Sequence, residues 1–369
     1  MWRRIFALMK KEFLALLKNK SSRMVIIGPP VIQLIIFGYA ASYDLNQVKY
    51  AVYNEDPGAA SRELISRFAG SKTFNLVDTL RSQEEIAPLI NTKKALMVLH
   101  LERDFTKNLL LNRPADIQLI VDGRDSNTAL ILLGYARSII NRFSMKWAGD
   151  HGGKKPPAEI VMRAWFNPTL SSRWFIIPGI VGLLTLVVTL LVTSLSVARE
   201  REAGTFDQLL VTPLTPFEIL VGKALPGFII GTAEASFIIF MAAVWFKVPL
   251  IGGLLPLYLG IVLFLLSAIG VGLMISSMCV TQQQGLFGAF MFLVPSIILS
   301  GFATPIANMP VLLQRLTLIN PLRYFLIVLR GVFLQGASVS LLIPQFWPMA
   351  VIGIVSLAMA GWLFRHKMY

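Results

Sequence analysis

A single cysteine, Cys279, stands in a chain of 369 residues, so no intrachain disulfide can form. The three histidines, His100, His151 and His366, are scattered and carry no metal-ligand spacing, so no metal site is expected. No phosphate-cradling G-x-x-x-x-G-K-S/T occurs. The nearest approach, Gly222-Lys223-Ala224, lacks both the upstream glycine and the hydroxyl. This chain is therefore expected to bind no ATP and no cofactor of its own, and it offers no catalytic constellation. Charge is scarce too: 15% of residues are Asp, Glu, Lys or Arg, against about a quarter in a soluble domain. That deficit excludes an ordinary soluble globular protein.

What the chain has instead is apolar sequence. Hydrophobic residues make up 55% of it. They gather in runs of about twenty, the length that crosses ~30 Å of hydrocarbon at ~1.5 Å per residue. An integral membrane protein is the class implied. The net charge is +14, of which residues 43–174 carry +4. The remainder lies in short segments beside apolar runs, which fits orientation by cytoplasmic Lys and Arg and argues against nucleic-acid binding.

Residues 1–22 open with MWRRIFALMKKEFLALLKNK. Trp2, Ile5, Phe6, Met9, Phe13, Leu16 and Leu17 recur there at helical spacing, with Arg3, Arg4, Lys10, Lys11 and Lys18 on other faces. The pattern predicts an amphipathic helix in the plane of the membrane, on its cytoplasmic side, with its basic face toward anionic lipid. A signal peptide is disfavoured, because about twenty polar-studded residues precede the apolar run. The first transmembrane helix falls in 23–42, with Pro29 and Pro30 kinking or breaking its start.

Residues 43–174 read as an extracytoplasmic α/β domain. VKYAVYN (48–54), ALMVLHL (95–101) and IQLIVD (117–122) are of strand type. Residues 57–70 and 125–143 are of helix type, the second capped by Asp125 or Ser126. EIVMRAWFNP (159–168) reads as a last strand returning to the membrane. Residues 175–369 read as a transmembrane domain of five helices, at about 175–197, 225–246, 254–278, 285–303 and 345–364, with a broken apolar region over 304–343. The fold class is a polytopic α-helical membrane protein of six transmembrane helices with an inserted α/β domain. An even number of spans places both termini in the cytoplasm.

The stretch SVAREREAGTFDQLLVTPLTPFEILVGKALPG (196–227) is over-specified for a link between two spans. Thr215-Pro216-Phe217-Glu218 is a capping box with proline at the first helical position, so a helix starts afresh there. Pro213 ends the turn before it. A short helix, a corner and a second helix make a rigid projection, the cytoplasmic segment 198–224.

Here the sequence resembles the permease subunits of ATP-binding-cassette exporters of the type-2 class. AREREAGTFDQLLVTPLTPFEILVGKALP carries the resemblance, with VYNEDPGAASREL, LIVDGRDSNTA, WFNP and NPLRYFLIVLRGVF in the same order along the chain. The resemblance implies a bacterial inner-membrane efflux protein that moves cargo out of the cytoplasm or inner leaflet. ATP and magnesium would sit on separate cytoplasmic ATPase subunits. A second permease subunit, identical or related, would complete a dimer, and the external domain could meet a periplasmic adaptor. Residues 304–343 would hold two re-entrant helices. The coupling element would be Arg199, Glu200, Arg201, Glu202, Gly204, Thr205, Phe206, Leu209 and Leu210, with Glu200 and Glu202 facing basic groups of the ATPase.

Glu234 is the only acid inside a span read from the sequence. A transport-path group, a proton acceptor and a structural hydrogen bond remain open readings of it, with Gln33 as a candidate partner. Pro305, Asn320, Pro321, Arg323 and Arg330 mark the broken region, and the two arginines share a helix face that reads as lipid-headgroup contact. Two rival functions stay open at this level: an ion- or proton-coupled secondary transporter working through Glu234, and a membrane scaffold that moves nothing.

Overall fold

Local sequence period sets the elements, and packing sorts them into two materials. The computed structural model describes residues 2–18, 20–40, 45, 47–151, 165–168, 171–206, 212 and 214–366. The chain divides into two compact units: Met1–Ser42 with Ala164–Tyr369, and Tyr43–Arg163.

The chain begins with α1 (Trp2–Lys18) and α2 (Lys20–Ala40). The α1 stripe Ile5, Leu8, Glu12 and Leu16 is buried against protein, while Trp2 and Phe6 stay exposed. The helix expected to rest its apolar face on lipid thus spends part of that face on its own chain. The reason is a buried acid: Glu12 lies on the stripe and has an ammonium partner in a neighbouring helix.

The second unit contains β1 (Val48–Asn54), α3 (Ala59–Ala69), β2 (Phe74–Leu80), α4 (Ile86–Asn91), β3 (Met97–Leu101), α5 (Phe105–Leu110), β4 (Ile117–Val121) and α6 (Ser126–Asp150). The sheet order is β2-β1-β3-β4. β1 runs parallel to β2 and β3, and β4 is antiparallel to β3. Tyr50, Phe68, Met97, Leu99, Phe105 and Phe143 fill the core on one face. Asp125 caps α6 by accepting from the Thr128 N–H. β2 has no counterpart in the sequence reading. Only its end residues, Phe74 and Leu80, are buried, because it is an edge strand, so it lacks the alternation that betrays a strand. The expected strand at 159–168 lies mostly outside the described residues, and 165–168 form a turn with Phe166 at φ 67°.

The helical unit continues with α7 (Ser172–Ser194), α8 (Ser196–Glu202), α9 (Pro216–Val244), α10 (Leu254–Met278), α11 (Gln282–Ile298), α12 (Val311–Leu316), α13 (Pro321–Arg330) and α14 (Val339–His366). Among the described residues four helical segments are long and apolar enough to cross a membrane: α7 with α8, α9, α10 and α14. A fifth candidate is a bent pair, Val311–Ile319 with Pro321–Gln335, turning by 84°. Asn320 sits at the bend and caps α13 through the Leu322 N–H. The segments expected at 23–42 and 285–303 correspond to α2, whose apolar part is Pro30–Tyr39, and to α11, which has 17 residues. α11 stops early, where the Ser300 hydroxyl donates to the Ile297 carbonyl at 2.7 Å. The protein is thus a mainly helical polytopic membrane protein.

Its core is held by close contact of small and aromatic side chains. Ser267 Oγ donates to the Met349 carbonyl at 2.7 Å, joining α10 to α14. Phe264 stacks on Phe325 at 4.1 Å, joining α10 to α13. Such contacts carry helix association where lipid removes the hydrophobic drive between helices.

Candidate functional site

The alternating charges at 199–202 lie where α7 does not stop but turns at Leu195 into α8. The turn frees backbone donors. Ser276 Oγ on the last turns of α10 takes them, accepting from the N–H of Val197 at 2.9 Å and of Ala198 at 3.2 Å. α8 is therefore held against the end of α10.

Each of the next charges then finds a separate helix. Glu200 is buried, with Oε1 2.8 Å from Lys11 Nζ on α1 and Oε2 2.5 Å from Lys223 Nζ on α9. Lys223, its side chain 1% exposed, also reaches Glu12 Oε1 on α1 at 2.8 Å. Two carboxylates and two ammoniums make a neutral group, which is how charges survive burial. The close approach of α1 to α9 needs Gly222: a Cβ there would stand 2.5 Å from Leu8 Cδ2 and 3.1 Å from Leu8 Cβ.

Arg201 Nη1 donates to the carbonyls of Ser277 at 3.1 Å and Cys279 at 3.3 Å, at the C-terminal end of α10. Its guanidinium also lies 4.8 Å over the Phe206 ring. Glu202 Oε2 accepts from the Gln282 N–H at 2.6 Å, at the first residue of α11. A cation on a helix C-terminus and an anion on a helix N-terminus are both the favoured sign. Arg199 is partly exposed, and its Nε is buried without a hydrogen bond.

α8 ends in a Schellman turn. Gly204 stands at φ 67°, its N–H donating to Arg201 O at 3.1 Å, while the Thr205 N–H donates to Glu200 O at 3.0 Å. The positive φ suits glycine. Phe206 is buried edge-on to Phe364 of α14 at 5.6 Å, in an apolar cluster with Leu8, Val197 and Ile219. Leu209 and Leu210 lie outside the described residues. At Thr215 stands the capping box: the Thr215 N–H donates to Glu218 Oε2 at 2.8 Å and the Glu218 N–H to Thr215 Oγ1 at 3.3 Å. From Pro216, α9 runs unbroken to Val244.

This geometry corrects one sequence expectation. Glu200 does not face outward toward a partner; it is consumed inside the chain by Lys11 and Lys223. Of the four charges only Glu202 is fully exposed as a residue. Lys11, Glu12, Lys223, Ser276 and Phe364 are the site residues that sequence reasoning missed. A signal did exist for two of them. Glu12 is the one acid on a basic helix and sits on its apolar stripe, and Lys223 interrupts a helix otherwise poor in charge.

The other sequence-chosen residues lie apart from this cluster. Glu234 is buried in α9, and among the described residues neither carboxylate oxygen has a hydrogen bond, so Gln33 is not its partner. Pro305 precedes a short turn, Ile306–Asn308, and is exposed. Asn320 Nδ2 donates to the Ser296 carbonyl at 2.7 Å, tying α13 to α11, and Pro321 takes the first helical position. Arg323 donates to the Thr317 hydroxyl and lies over Tyr324, and Arg330 lies 3.9 Å over the Phe175 ring. Both arginines are partly buried on aromatic faces and not splayed toward headgroups, because each finds a ring within reach. Among the described residues no group of three or more His, Cys, Asp or Glu comes together.

Comparison with known proteins gives a family match over residues 20–362, to a model described as ABC-2 family transporter protein. The chain is 40% identical over 368 residues to the probable multidrug ABC transporter permease YbhR of Escherichia coli, covering all of both chains. It is 35% identical over 342 residues to the probable multidrug ABC transporter permease YbhS of Escherichia coli, covering 91% of this chain and 89% of that one. It is 19% identical over 361 residues to the linearmycin resistance permease protein LnrN of Bacillus subtilis, covering 92% and 93%.

Proposed function

Because the chain belongs to the ABC-2 family of transporter proteins and is a permease subunit of an ABC exporter, we propose that its 198–224 segment is the lever through which a separate ATPase moves the helices. The observation that carries this reading is Lys223, shared at 2.8 Å and 2.5 Å by Glu12 and Glu200. One buried ammonium joins α1, α8 and α9. Arg201 and Glu202 add α10 and α11. A push on α8 therefore reaches four other helices without a flexible step.

In this reading the ATPase subunits bind ATP and magnesium, close on them, and press on 199–210 from the cytoplasm. The permease works as a dimer in the bacterial inner membrane. α2 and α11 complete six spans with α7, α9, α10 and α14, the bent pair at Asn320 is re-entrant, both termini are cytoplasmic, and Tyr43–Arg163 lies outside, where it can meet a periplasmic adaptor. The cargo is drug-like, by analogy with the multidrug permeases named above.

Co-purification in mild detergent with the cognate ATPase, followed by transport in proteoliposomes, tests this. The ATPase is expected to stay with the wild-type chain. It should be lost, with transport, when 199–210 becomes a flexible Gly-Ser linker. Assembly and transport that survive the replacement overturn the reading. So does labelling that places residues 199–206 on the outer face.

A further inference from the structure

The first turns of α9 have two different sides. Gly222 and Pro226 are buried on one. The other side forms a wall of a groove of about 390 Å³ between α9, α10 and α14. Leu220, Ala224 and Phe228 of α9 line it, stacked because residues four apart share a helix face. Leu266 and Ile269 of α10 and Leu357 of α14 complete it, and among the described residues no polar side chain lines it. Ala224, the smallest of these side chains, supplies the room. Phe217 and Leu266 at the rim are exposed, so the groove opens to the outside of the bundle.

Its length selects an occupant. From Phe217 to Phe228 the α9 wall rises roughly 16 Å, at ~1.5 Å per residue. That is about half of a ~30 Å hydrocarbon core, the depth of one leaflet. All three helices are long and apolar enough to cross a membrane, and Phe217 stands at the very start of α9. The groove therefore runs from one end of the spans to near their middle. It is too slender to admit a second helix, which is about 10–12 Å across with its side chains. It also lacks the few placed polar groups that orient a drug-sized ligand. A single hydrocarbon chain fits both its length and its chemistry.

The outer end of the groove is positive. Leu220 Cδ2 lies 3.6 Å from where a Cβ on Gly361 would stand, which fixes α14 against α9 there. Arg365 follows one turn later and is exposed. Trp362, also exposed, has its ring 4.3 Å from that of His366, a pairing suited to the depth of lipid headgroups. Arg4 of α1 is exposed one turn from Leu8, which shares an apolar cluster with Phe364. The acid at this end, Glu218, is engaged by the Thr215 capping box. Exposed cations beside an engaged acid favour a negative headgroup. We propose that this groove holds one acyl chain of an anionic phospholipid, in the leaflet that contains the C-terminal end of α14, with the lipid phosphate against Arg365.

Native mass spectrometry of the full-length permease tests the site, by titration in detergent with phosphatidylglycerol or with phosphatidylcholine of the same chains. One phosphatidylglycerol per chain is expected to bind about 5-fold more tightly than phosphatidylcholine, the worth of one basic residue at an anionic surface. Arg365→Ala should bring phosphatidylglycerol down to the level of phosphatidylcholine and leave phosphatidylcholine unchanged. Arg365→Lys should keep most of the preference. Leu266→Trp, at the exposed rim, fills the groove and should abolish tight binding of both lipids. Equal affinity for the two lipids in the wild type, or phosphatidylglycerol binding untouched by Leu266→Trp, overturns the proposal. So does a dimer that binds neither lipid and separates on Leu266→Trp, which gives the groove to a second permease chain. So does a Leu266→Trp chain that loses an apolar drug and keeps its lipid, which makes the groove a cargo site. The assay needs no ATPase, so its failure leaves the lever reading standing, and failure of the lever reading leaves this one.

Discussion

Lys223 and Glu12 meet across 211 residues of sequence, Nζ to Oε1 at 2.8 Å, in a place almost closed to solvent. The same ammonium holds Glu200. A charge inside the bundle is thus the fastening between the first helix and the short helix that continues α7.

Lys223→Met leaves two buried carboxylates short of a counter-charge. Breaking a buried pair on one side costs about 3–5 kcal/mol. We expect a lower melting temperature in detergent and ATP hydrolysis that no longer drives transport. Adding Glu12→Gln and Glu200→Gln should recover melting more than transport. Equal recovery of both would remove the lever role and leave a structural one.

Gly222→Val should push α1 away from α9, since its Cβ falls 2.5 Å from Leu8 Cδ2. Overpacking of this kind costs about 1–3 kcal/mol. Leu8→Ala in the same chain should return part of the loss, whereas Leu8→Ala alone should destabilise. A double-mutant cycle on thermal melting measures the coupling, and strictly additive changes would contradict the contact.

Arg201→Ala removes donors from the Ser277 and Cys279 carbonyls and the cation from the Phe206 ring. Hydrogen bonds from a charged group are worth about 1.5–3 kcal/mol, and the partial exposure of Arg201 points to the low end. Faster hydrogen exchange is expected in α8 and at the end of α10, with that of α14 unchanged beyond Phe364. Unaltered exchange in α8 would show that the cap does not hold it.

In the α/β unit, His100 faces Gln118 through Nδ1 and Glu55 through Nε2, both at 2.9 Å. Burial pulls its pKa down, but the bonds to Gln118 and Glu55 outweigh that and raise it above 6.5. A raised folded pKa gives stabilisation that is full below the unfolded value and fades as pH rises through the folded one. Exchange of the β1 and β3 amides should therefore quicken above pH 6.5 beyond its intrinsic base catalysis. Glu55→Gln should flatten that dependence; the same slope in both chains would exclude the pair as its source.

Much of this molecule was legible from local pattern. Apolar runs gave α7, α9, α10 and α14; the Thr215-Pro216-Phe217-Glu218 motif gave the start of α9; alternation gave β1, and short apolar runs gave β3 and β4. These depend on residues within a turn or a strand, and such neighbours are fixed by covalent geometry. β2 escaped because an edge strand buries only its ends, and the stop of α11 escaped because its apolar composition runs on past Ile298.

The sequence by itself determined the class, the helices, the caps and the concentration of charge at 199–202. Only the tertiary structure decided where those charges point. Glu200 looked outward on paper and turned out to be neutralised within, because Lys11 and Lys223 arrive on helices distant in sequence. Period and composition are properties of neighbours along the chain, whereas an ion pair belongs to neighbours in space. In a low-dielectric interior the latter decides which charges can be kept.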